Sequence, residues 1–387
     1  MIKISFTAIL LSLLCGHAIA QWETGQIYYG QSDWISYQVG NLPLVLLAPH
    51  GGDMRPNQIK DRSCTGCSTI QDYRTLQLTQ EIAAHIHELT GCYPHVVINH
   101  LHRIKLDANR DQQEATDGDS LSTIAWQEWI NFIDTAKTIV ASQWGKGLVL
   151  DMHGHGHEID RIELGYLLSG SRLRQSDSII DTDYSQTNSI RRLVEDNPKG
   201  LSLSELIRGR YALGSIFENM DLPSVPSMDD PFPKSGEAYF SGGFNTARNG
   251  SRSGGPIDAI QLECHRSIRN DGSREQSSMD IASSALEYLY LHYFPDTSFS
   301  CLPLNLDYQI NSLIKLHPNP FQRELNIEYP GQKFNIAVAD VNGKVIYKAK
   351  SIDGILRIST ENWLQGIYVI LLSNKDIRVQ KTVIKIE

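Results

Sequence analysis

The chain has 387 residues, of which 41% are hydrophobic and 20% are charged, and its formal net charge at pH 7 is −9. This composition indicates a folded protein with room for one large and one small domain, and it argues against a disordered or fibrous chain. The acidic balance argues against nucleic acid as a partner and provides no basic face for a membrane surface.

The first twenty residues have the pattern of a secretory signal peptide, so we expect residues 1–20 to be removed. Lys3 supplies the positive charge, residues 8–14 form an apolar stretch, and Ala18-Ile19-Ala20 is a small-residue cleavage site. The apolar stretch is too short to span a bilayer, so no transmembrane segment is expected in the mature chain. A lipid anchor on Cys15 is the alternative, but Leu14 stands where such a site needs a small residue.

Strand-like and helix-like segments alternate over residues 21–300, which predicts an α/β domain. Apolar residues recur with helical spacing at 75–89, 122–144 and 280–294, and short apolar runs predict strands at 42–47, 96–98, 148–150 and 257–262. Residues 221–256 are rich in Pro, Gly, Ser and Asn and are expected to form a long functional loop.

Two of the predicted strands run into histidines flanked by glycine. The strand at 42–47 is followed by Pro49-His50-Gly51-Gly52-Asp53, and the strand at 148–150 by Asp151-Met152-His153-Gly154-His155-Gly156-His157. Open α/β sheets bind ligands beyond the carboxyl ends of their strands. We therefore expect His50, Asp53 and His153 to converge on one Zn²⁺ ion, which prefers imidazole and carboxylate ligands.

Each ligand assignment has an alternative. His50 and His153 could be loop histidines that hydrogen-bond the backbone, and Asp53 could be a turn or helix-capping residue. Either His155 or His157 could replace His153, because any member of a His-x-His-x-His run can bind metal. With His153 as the ligand, His155 is expected to orient a ligand or the substrate.

The mature chain keeps five cysteines in an oxidising compartment: Cys64, Cys67, Cys92, Cys264 and Cys301. Cys64-Thr65-Gly66-Cys67 is expected to close a small disulfide loop, because a zinc knuckle and a thioredoxin-like motif both need surroundings that the sequence lacks. The odd number leaves at least one thiol free or paired between chains.

The two histidine segments and three others together resemble the N-formylglutamate amidohydrolase family and, more distantly, the zinc carboxypeptidases. The family motifs occur in order as Pro49-His50-Gly51-Gly52, Arg103 to Arg110, Asp151-Met152-His153-Gly154, Gly242 to Thr246, and Gln261-Leu262-Glu263. The resemblance implies a three-layer α/β/α fold of the phosphorylase/hydrolase type with a mixed sheet. Glycine replaces serine after both histidines, and His50-x-x-Asp53 stands where the carboxypeptidases have His-x-x-Glu, which puts the identity of the substrate in doubt.

The resemblance and the residue chemistry give the same catalytic roles. A zinc ion with three protein ligands keeps one position open for water. Glu263, at the end of a buried strand, is expected to move the proton from that water to the leaving amine. Arg103 is expected to polarise the scissile carbonyl or bind a second carboxylate. The alternative for Glu263 is an ion pair without a catalytic role.

Substrate binding is assigned to the remaining motif residues. Arg110, together with Asn109, is expected to bind a substrate carboxylate in bidentate fashion. Gly243 and Thr246, in the glycine-rich loop, are expected to contact the substrate as well. The alternative is that Arg110 only pairs with a buried Asp107.

The composition changes after residue 300: a linker at 301–315 precedes an all-β sandwich of six or seven strands at 316–387. This segment resembles the C-terminal sorting domain of the type IX secretion system, through the motifs His317-Pro318-Asn319-Pro320-Phe321, Asp340-Val341-Asn342-Gly343-Lys344, Leu364 to Val369 and Lys381 to Lys385. The resemblance implies the type IX machinery as a partner and a location at the cell surface or outside the cell. The alternative is an ordinary accessory sandwich.

The sequence thus predicts a secreted zinc-dependent hydrolase. It would cleave an amide or peptide bond next to a carboxylate in a small substrate. The competing hypothesis is a catalytically silent, surface-displayed binding module that retains the hydrolase fold.

Overall fold

The structure is a computed structural model that describes residues 22–64, 66–295, 297, 299–301, 314–340, 344–373 and 378–386. It divides the chain into two compact units, Met1–Ser300 and Cys301–Glu387. The predicted signal peptide and most of the predicted linker lie outside the described residues.

The first unit contains eight strands and eleven helices among its described residues. The strands are β1 (Ile27–Tyr29), β2 (Ile35–Gln38), β3 (Leu44–Ala48), β4 (His95–Asn99), β5 (Gly147–His155), β6 (Ile162–Gly165), β7 (Ser224–Val225) and β8 (Ile257–His265). The helices are α1 (Thr75–Thr90), α2 (Gln112–Thr116), α3 (Ser120–Trp144), α4 (Gly170–Leu173), α5 (Asp177–Asp183), α6 (Arg191–Asp196), α7 (Leu203–Arg208), α8 (Leu213–Glu218), α9 (Phe244–Asn249), α10 (Arg266–Arg269) and α11 (Arg274–His292).

The strands form one mixed sheet in the order β1-β2-β4-β3-β5-β8-β6-β7. The central strands β4, β3, β5 and β8 are parallel, whereas β2 and β6 run antiparallel to their neighbours β4 and β8. Parallel strands buried on both faces read as continuous apolar runs, which is why the sequence pattern identified them.

Helices cover both faces of this sheet, and the alternation of side chains along the strands decides which face each residue meets. Leu148 and Leu150 of β5 pack into one core with α1 and α11. Val149 packs into the other core with α3. This three-layer arrangement confirms the predicted α/β/α class. The loop predicted at 221–256 differs from expectation, because it contains β7, α9 and a 3₁₀ turn at Ser251–Ser253.

The second unit is an antiparallel sheet of the strands β9 (Lys315–His317), β10 (Glu324–Asp340), β11 (Val345–Ser359), β12 (Gly366–Ser373) and β13 (Arg378–Lys385). Their order is β11-β10-β12-β13, with β9 also paired to β10. β10 has 17 residues and β11 has 15, and the described sheet has five strands instead of the expected six or seven. The predicted hairpin turn at Asn342-Gly343 lies outside the described residues.

Cys64 and Cys67 form the expected disulfide bond. Cys92 and Cys301 are each disulfide-bonded too, and Cys264 is a free, buried thiol. In the part of the chain that the structure describes, no helix is both long enough and apolar enough to cross a membrane.

Candidate metal centre

Two of the three predicted zinc ligands meet at the carboxyl edge of the sheet. His50 follows β3 and His153 lies near the end of β5, and their ring centroids are 4.9 Å apart. The carboxylate of Asp72, which precedes α1, lies beside both histidine rings. Its Oδ2 atom lies 3.3 Å from His50 Nδ1 and 3.2 Å from His153 Nδ1, so three possible ligand atoms converge.

The other nitrogen of each imidazole is held by a buried carboxylate. His50 Nε2 lies 2.6 Å from Asp107 Oδ1, and His153 Nε2 lies 3.0 Å from Asp151 Oδ2. An ionised carboxylate can only accept, so each Nε2 donates its proton to the carboxylate behind it. Each Nδ1 could then give its lone pair to a metal ion that lies between it and Asp72. Histidines that bind metals usually donate their second N–H to a carboxylate or carbonyl in this way.

Asp53 does not lie in this group. Its side chain is exposed, and the chain turns away from His50 because Gly52 packs against the backbone of His100, where an added Cβ would lie 2.3 Å from the carbonyl carbon. The backbone N–H of Met54 then donates to His100 O at 3.0 Å, so the chain stays along His100 after Asp53. The structure therefore places Asp72, and not the predicted ligand Asp53, beside the two histidines.

Backbone hydrogen bonds hold Asp72 at the site. Its N–H donates to His50 O at 3.1 Å, and its own carbonyl accepts from Thr75 N at the start of α1. The Oδ2 atom also accepts from Gly154 N at 3.2 Å. The sequence signal was weak, because a lone aspartate before a helix has the form of an ordinary capping residue.

The electrostatics of the site favour charged groups despite burial. Burial opposes ionisation of Asp72, but His50 and His153 outweigh it and lower the pKa of this carboxyl below its usual range. Burial likewise opposes a charge on His153, yet Asp151 and Asp72 raise its pKa well above the ordinary value. A cluster of carboxylates that favours positive charge on its imidazoles is an environment in which a metal cation is stabilised.

Glu263 lies beside the candidate ligands, paired with His153 across β5 and β8. Its side chain is buried and lines the same cavity of about 190 Å³ as His50, Asp72 and His153. Burial, together with the charges of Asp72 and Glu163, raises the pKa of Glu263 to about 8. Gln261 Nε2 donates to its Oε1 at 3.0 Å, which orients the carboxyl group.

The two predicted arginines both line this cavity but have different partners. Arg103 Nε donates to Asp107 at 2.9 Å, and its Nη1 lies 3.5 Å from Asp72 Oδ1. Arg110 pairs with Glu114 at 2.7 Å and donates from Nη1 to Asn109 O. The alternative in which Arg110 pairs with Asp107 is not observed, because Asp107 bonds His50 and Arg103 and Arg110 pairs with Glu114.

Asn109 contacts both the glycine-rich loop and His153. Asn109 Oδ1 accepts from Asn245 N at 2.8 Å, and Asn109 Nδ2 lies 3.3 Å from His153 Nε2. Gly243 lines the cavity, and an added Cβ there would lie 2.4 Å from Asn109 Nδ2, so a larger residue does not fit.

Thr246 is fully buried, and its hydroxyl lies 3.4 Å from Asp151 Oδ2. The predicted substrate-binding residue Thr246 thus contacts the carboxylate that lies behind His153.

His155 and His157 do not replace His153. They form a separate group with Glu163, in which the possible ligand atoms lie within 4.8 Å of one another. His157 Nδ1 lies 2.8 Å from Glu163 Oε1. The His157 ring also stacks on Phe240, which lines the cavity beside Glu263.

Comparison with known families identifies the second unit. Residues 315–386 match the secretion system C-terminal sorting domain, which confirms the predicted type IX sorting domain. The domain indicates export by type IX secretion to the cell surface or the outside of the cell, as predicted. No curated protein matches the chain.

Solved structures with similar folds include an N-formylglutamate amidohydrolase from Ralstonia eutropha JMP134, 12% identical, which covers 66% of this chain and 97% of its own with a TM-score of 0.39. A gene product of Agrobacterium tumefaciens is 14% identical over 66% of this chain and 94% of its own, with a TM-score of 0.39. The surface component PorZ of the Porphyromonas gingivalis type IX secretion system is 12% identical over 21% of this chain and only 12% of its own, with a TM-score of 0.20.

Proposed function

We propose that the protein is a secreted zinc-dependent hydrolase that cleaves an amide or peptide bond next to a carboxylate. The observation that carries this proposal is the convergence of His50 Nδ1, Asp72 Oδ2 and His153 Nδ1, with each Nε2 bonded to a further carboxylate. Two imidazoles and one carboxylate are a common ligand set of catalytic zinc.

His50, Asp72 and His153 would hold the ion. A zinc ion held by three protein ligands activates water for hydrolysis near neutral pH. Asp107 and Asp151 keep both imidazoles in the tautomer that presents Nδ1. Arg103 fixes Asp72 and Asp107 relative to each other, since its guanidinium lies between the two carboxylates.

Glu263 is the group that moves the proton. It lines the cavity but is not one of the three convergent residues His50, Asp72 and His153, so it lies beside the proposed ligands without being one of them. A cation held by His50, Asp72 and His153 would favour the ionised form of Glu263 and so oppose the effect of burial on its pKa. The carboxylate would then take a proton from the attacking water and deliver it to the leaving nitrogen. The hydrogen bond from Gln261 holds one oxygen and leaves the other for this transfer.

Arg110 is the proposed carboxylate-binding residue. About a third of its side chain is exposed, in contrast to the mostly buried Arg103. Its Nε and Nη1 atoms have partners, whereas Nη2 has none among the described residues. A substrate carboxylate would bind Nη2 and displace part of the Glu114 pairing, because both compete for the same cation.

Hydrolysis by the purified mature chain tests this function. We expect release of amine from small N-acyl amino acids or peptides with a free carboxylate, loss of activity on zinc removal, and recovery on zinc return. Glu263→Gln should retain zinc and lose roughly 10²–10⁴-fold in turnover, while the exposed Glu158→Gln serves as the matched control. Normal turnover by Glu263→Gln would remove Glu263 from the mechanism.

Substrate preference is tested separately with Arg110→Ala. The unmodified protein should cleave free-carboxylate substrates in preference to their amidated analogues, and Arg110→Ala should lose that preference while zinc stays bound. Arg248→Ala, which breaks a surface ion pair with Asp134, is the control. If no substrate of this class is turned over by the zinc-loaded chain, the silent binding module becomes the better account.

A further inference from the structure

A second row of polar side chains continues from the candidate metal centre across the same face of the sheet. Asp151, His153 and His155 alternate along β5 and therefore share one face. Across β8, His153 is paired with Glu263 and His155 with His265. On the far side of β8, Glu163 of β6 is paired with Glu263. The group of His155, His157 and Glu163 thus lies next to Glu263 and outside the first ligand set.

One histidine of this group, His155, has its Nε2 atom bonded to an oxygen acceptor, as both histidines of the first group do. His155 Nε2 lies 2.8 Å from the carbonyl oxygen of Arg161, so Nε2 carries the proton and Nδ1 has the lone pair. That Nδ1 accepts a 3.2 Å hydrogen bond from the backbone N–H of His157, which a bound ion would replace. His157 presents Nδ1 to Glu163 Oε1 at 2.8 Å. A metal-binding imidazole commonly donates its second N–H to a backbone carbonyl.

The buried carboxyl groups at this position favour a bound cation. Glu163 and Glu263 are both buried and lie directly opposite each other on antiparallel strands. Two buried carboxyl groups that face each other in this way cannot both be ionised without a cost, which a cation beside them would reduce. Beside them, His265 is 7% exposed, its ring lies 5.3 Å from that of His155, and its Nε2 has no hydrogen-bond partner among the described residues. A buried imidazole nitrogen without a partner is a second sign that this polar region is incomplete.

We propose that His155, His157 and Glu163 bind a second divalent zinc-like cation, distinct from the ion held by His50, Asp72 and His153. Two imidazoles and one carboxylate again form the donor set. This site goes beyond the proposed hydrolysis, which needs only the first ion. Its role is to anchor the cavity wall: Glu163 Oε2 accepts from Phe240 N at 2.8 Å, and the His157 ring stacks on the Phe240 ring. An ion on these two side chains would fix Phe240 over the cavity.

Zinc content of the full mature chain tests the second site. After dialysis against buffered free Zn²⁺, elemental analysis should give two zinc ions per chain for the unmodified protein. His157→Ala and Glu163→Gln should each retain one, and His50→Ala should also retain one. His157→Ala combined with His50→Ala should retain none. His87→Ala, a histidine stacked on Tyr93 outside both groups, should retain two.

The outcomes separate this site from the proposed function. One zinc ion in the unmodified protein that is kept by His157→Ala and lost by His50→Ala would overturn the second site and leave the hydrolase proposal intact. One zinc ion kept by His50→Ala and lost by both His157→Ala and Glu163→Gln would support the second site and overturn the first. No bound zinc at all would overturn both. Glu163→Gln is nearly isosteric, so it tests the ligand role even if removal of His157 disturbs folding.

Discussion

Replacing Asp151 with Asn tests the carboxylate that lies behind His153. Asp151 Oδ2 lies 3.0 Å from His153 Nε2, and both side chains are buried. Asn245 and Thr246 fix the Asp151 carboxylate from the other side. Asn preserves the size of the side chain but removes the charge that strengthens the imidazole as a ligand. Loss of such a carboxylate typically weakens metal binding ~10–100-fold, or about 1.4–2.8 kcal/mol.

The assay is competition for Zn²⁺ between the protein and a chromogenic chelator. We expect the Kd of the first site to rise within that range for Asp151→Asn. Asp258→Asn, which replaces another fully buried carboxylate of the same unit, should leave the Kd unchanged. An unchanged Kd for Asp151→Asn, in a variant that is folded by circular dichroism, would refute the role given to the Asp151–His153 bond.

Two further predictions concern stability and export. Burial raises the pKa of Asp258 from 3.8 to about 7, against hydrogen bonds from Ser251 and Tyr293, so the fold keeps a proton that the unfolded chain releases. The contribution of this group to the free energy of unfolding is therefore largest below pH ~4 and falls by roughly 4 kcal/mol as pH rises to ~7. Chemical denaturation across this pH range should show that the free energy of unfolding of Asp258→Asn depends less on pH. An unchanged pH dependence in this variant would contradict the prediction. Deletion of residues 315–386 should leave a folded first unit that accumulates in the periplasm, as measured by cell fractionation, and normal delivery of the truncated protein to the surface would contradict the sorting role.

Much of the fold was predictable because the central strands are apolar on both faces. The runs at 42–47, 148–150 and 257–262 correspond to β3, β5 and β8, and the 3.6-residue periodicity identified α1, α3 and α11. The small elements inside residues 221–256 were not predictable, since β7 has two residues and α9 has six. Elements of that length carry too little periodicity for recognition and depend on tertiary contacts.

The sequence indicated the histidines of the site but not its carboxylate. His50 and His153 end predicted strands, so the edge at which they meet follows from the sheet topology. Asp53 is close to His50 in sequence, but the packing of Gly52 against His100 sends it outward. Asp72 is twenty-two residues from His50 and reaches it through a backbone hydrogen bond, which no local pattern encodes. Glu163 was missed for the same reason, because its partners lie on other elements.

The choice between Asp72 and Asp53 as the carboxylate ligand tests the account most directly. We expect elemental analysis of the full mature chain to show that Asp72→Ala loses one zinc ion per chain relative to the unmodified protein. Asp53→Ala removes the same chemical group from an exposed position and should keep the full zinc content. Loss of zinc from Asp53→Ala together with its retention by Asp72→Ala would contradict the metal centre described here.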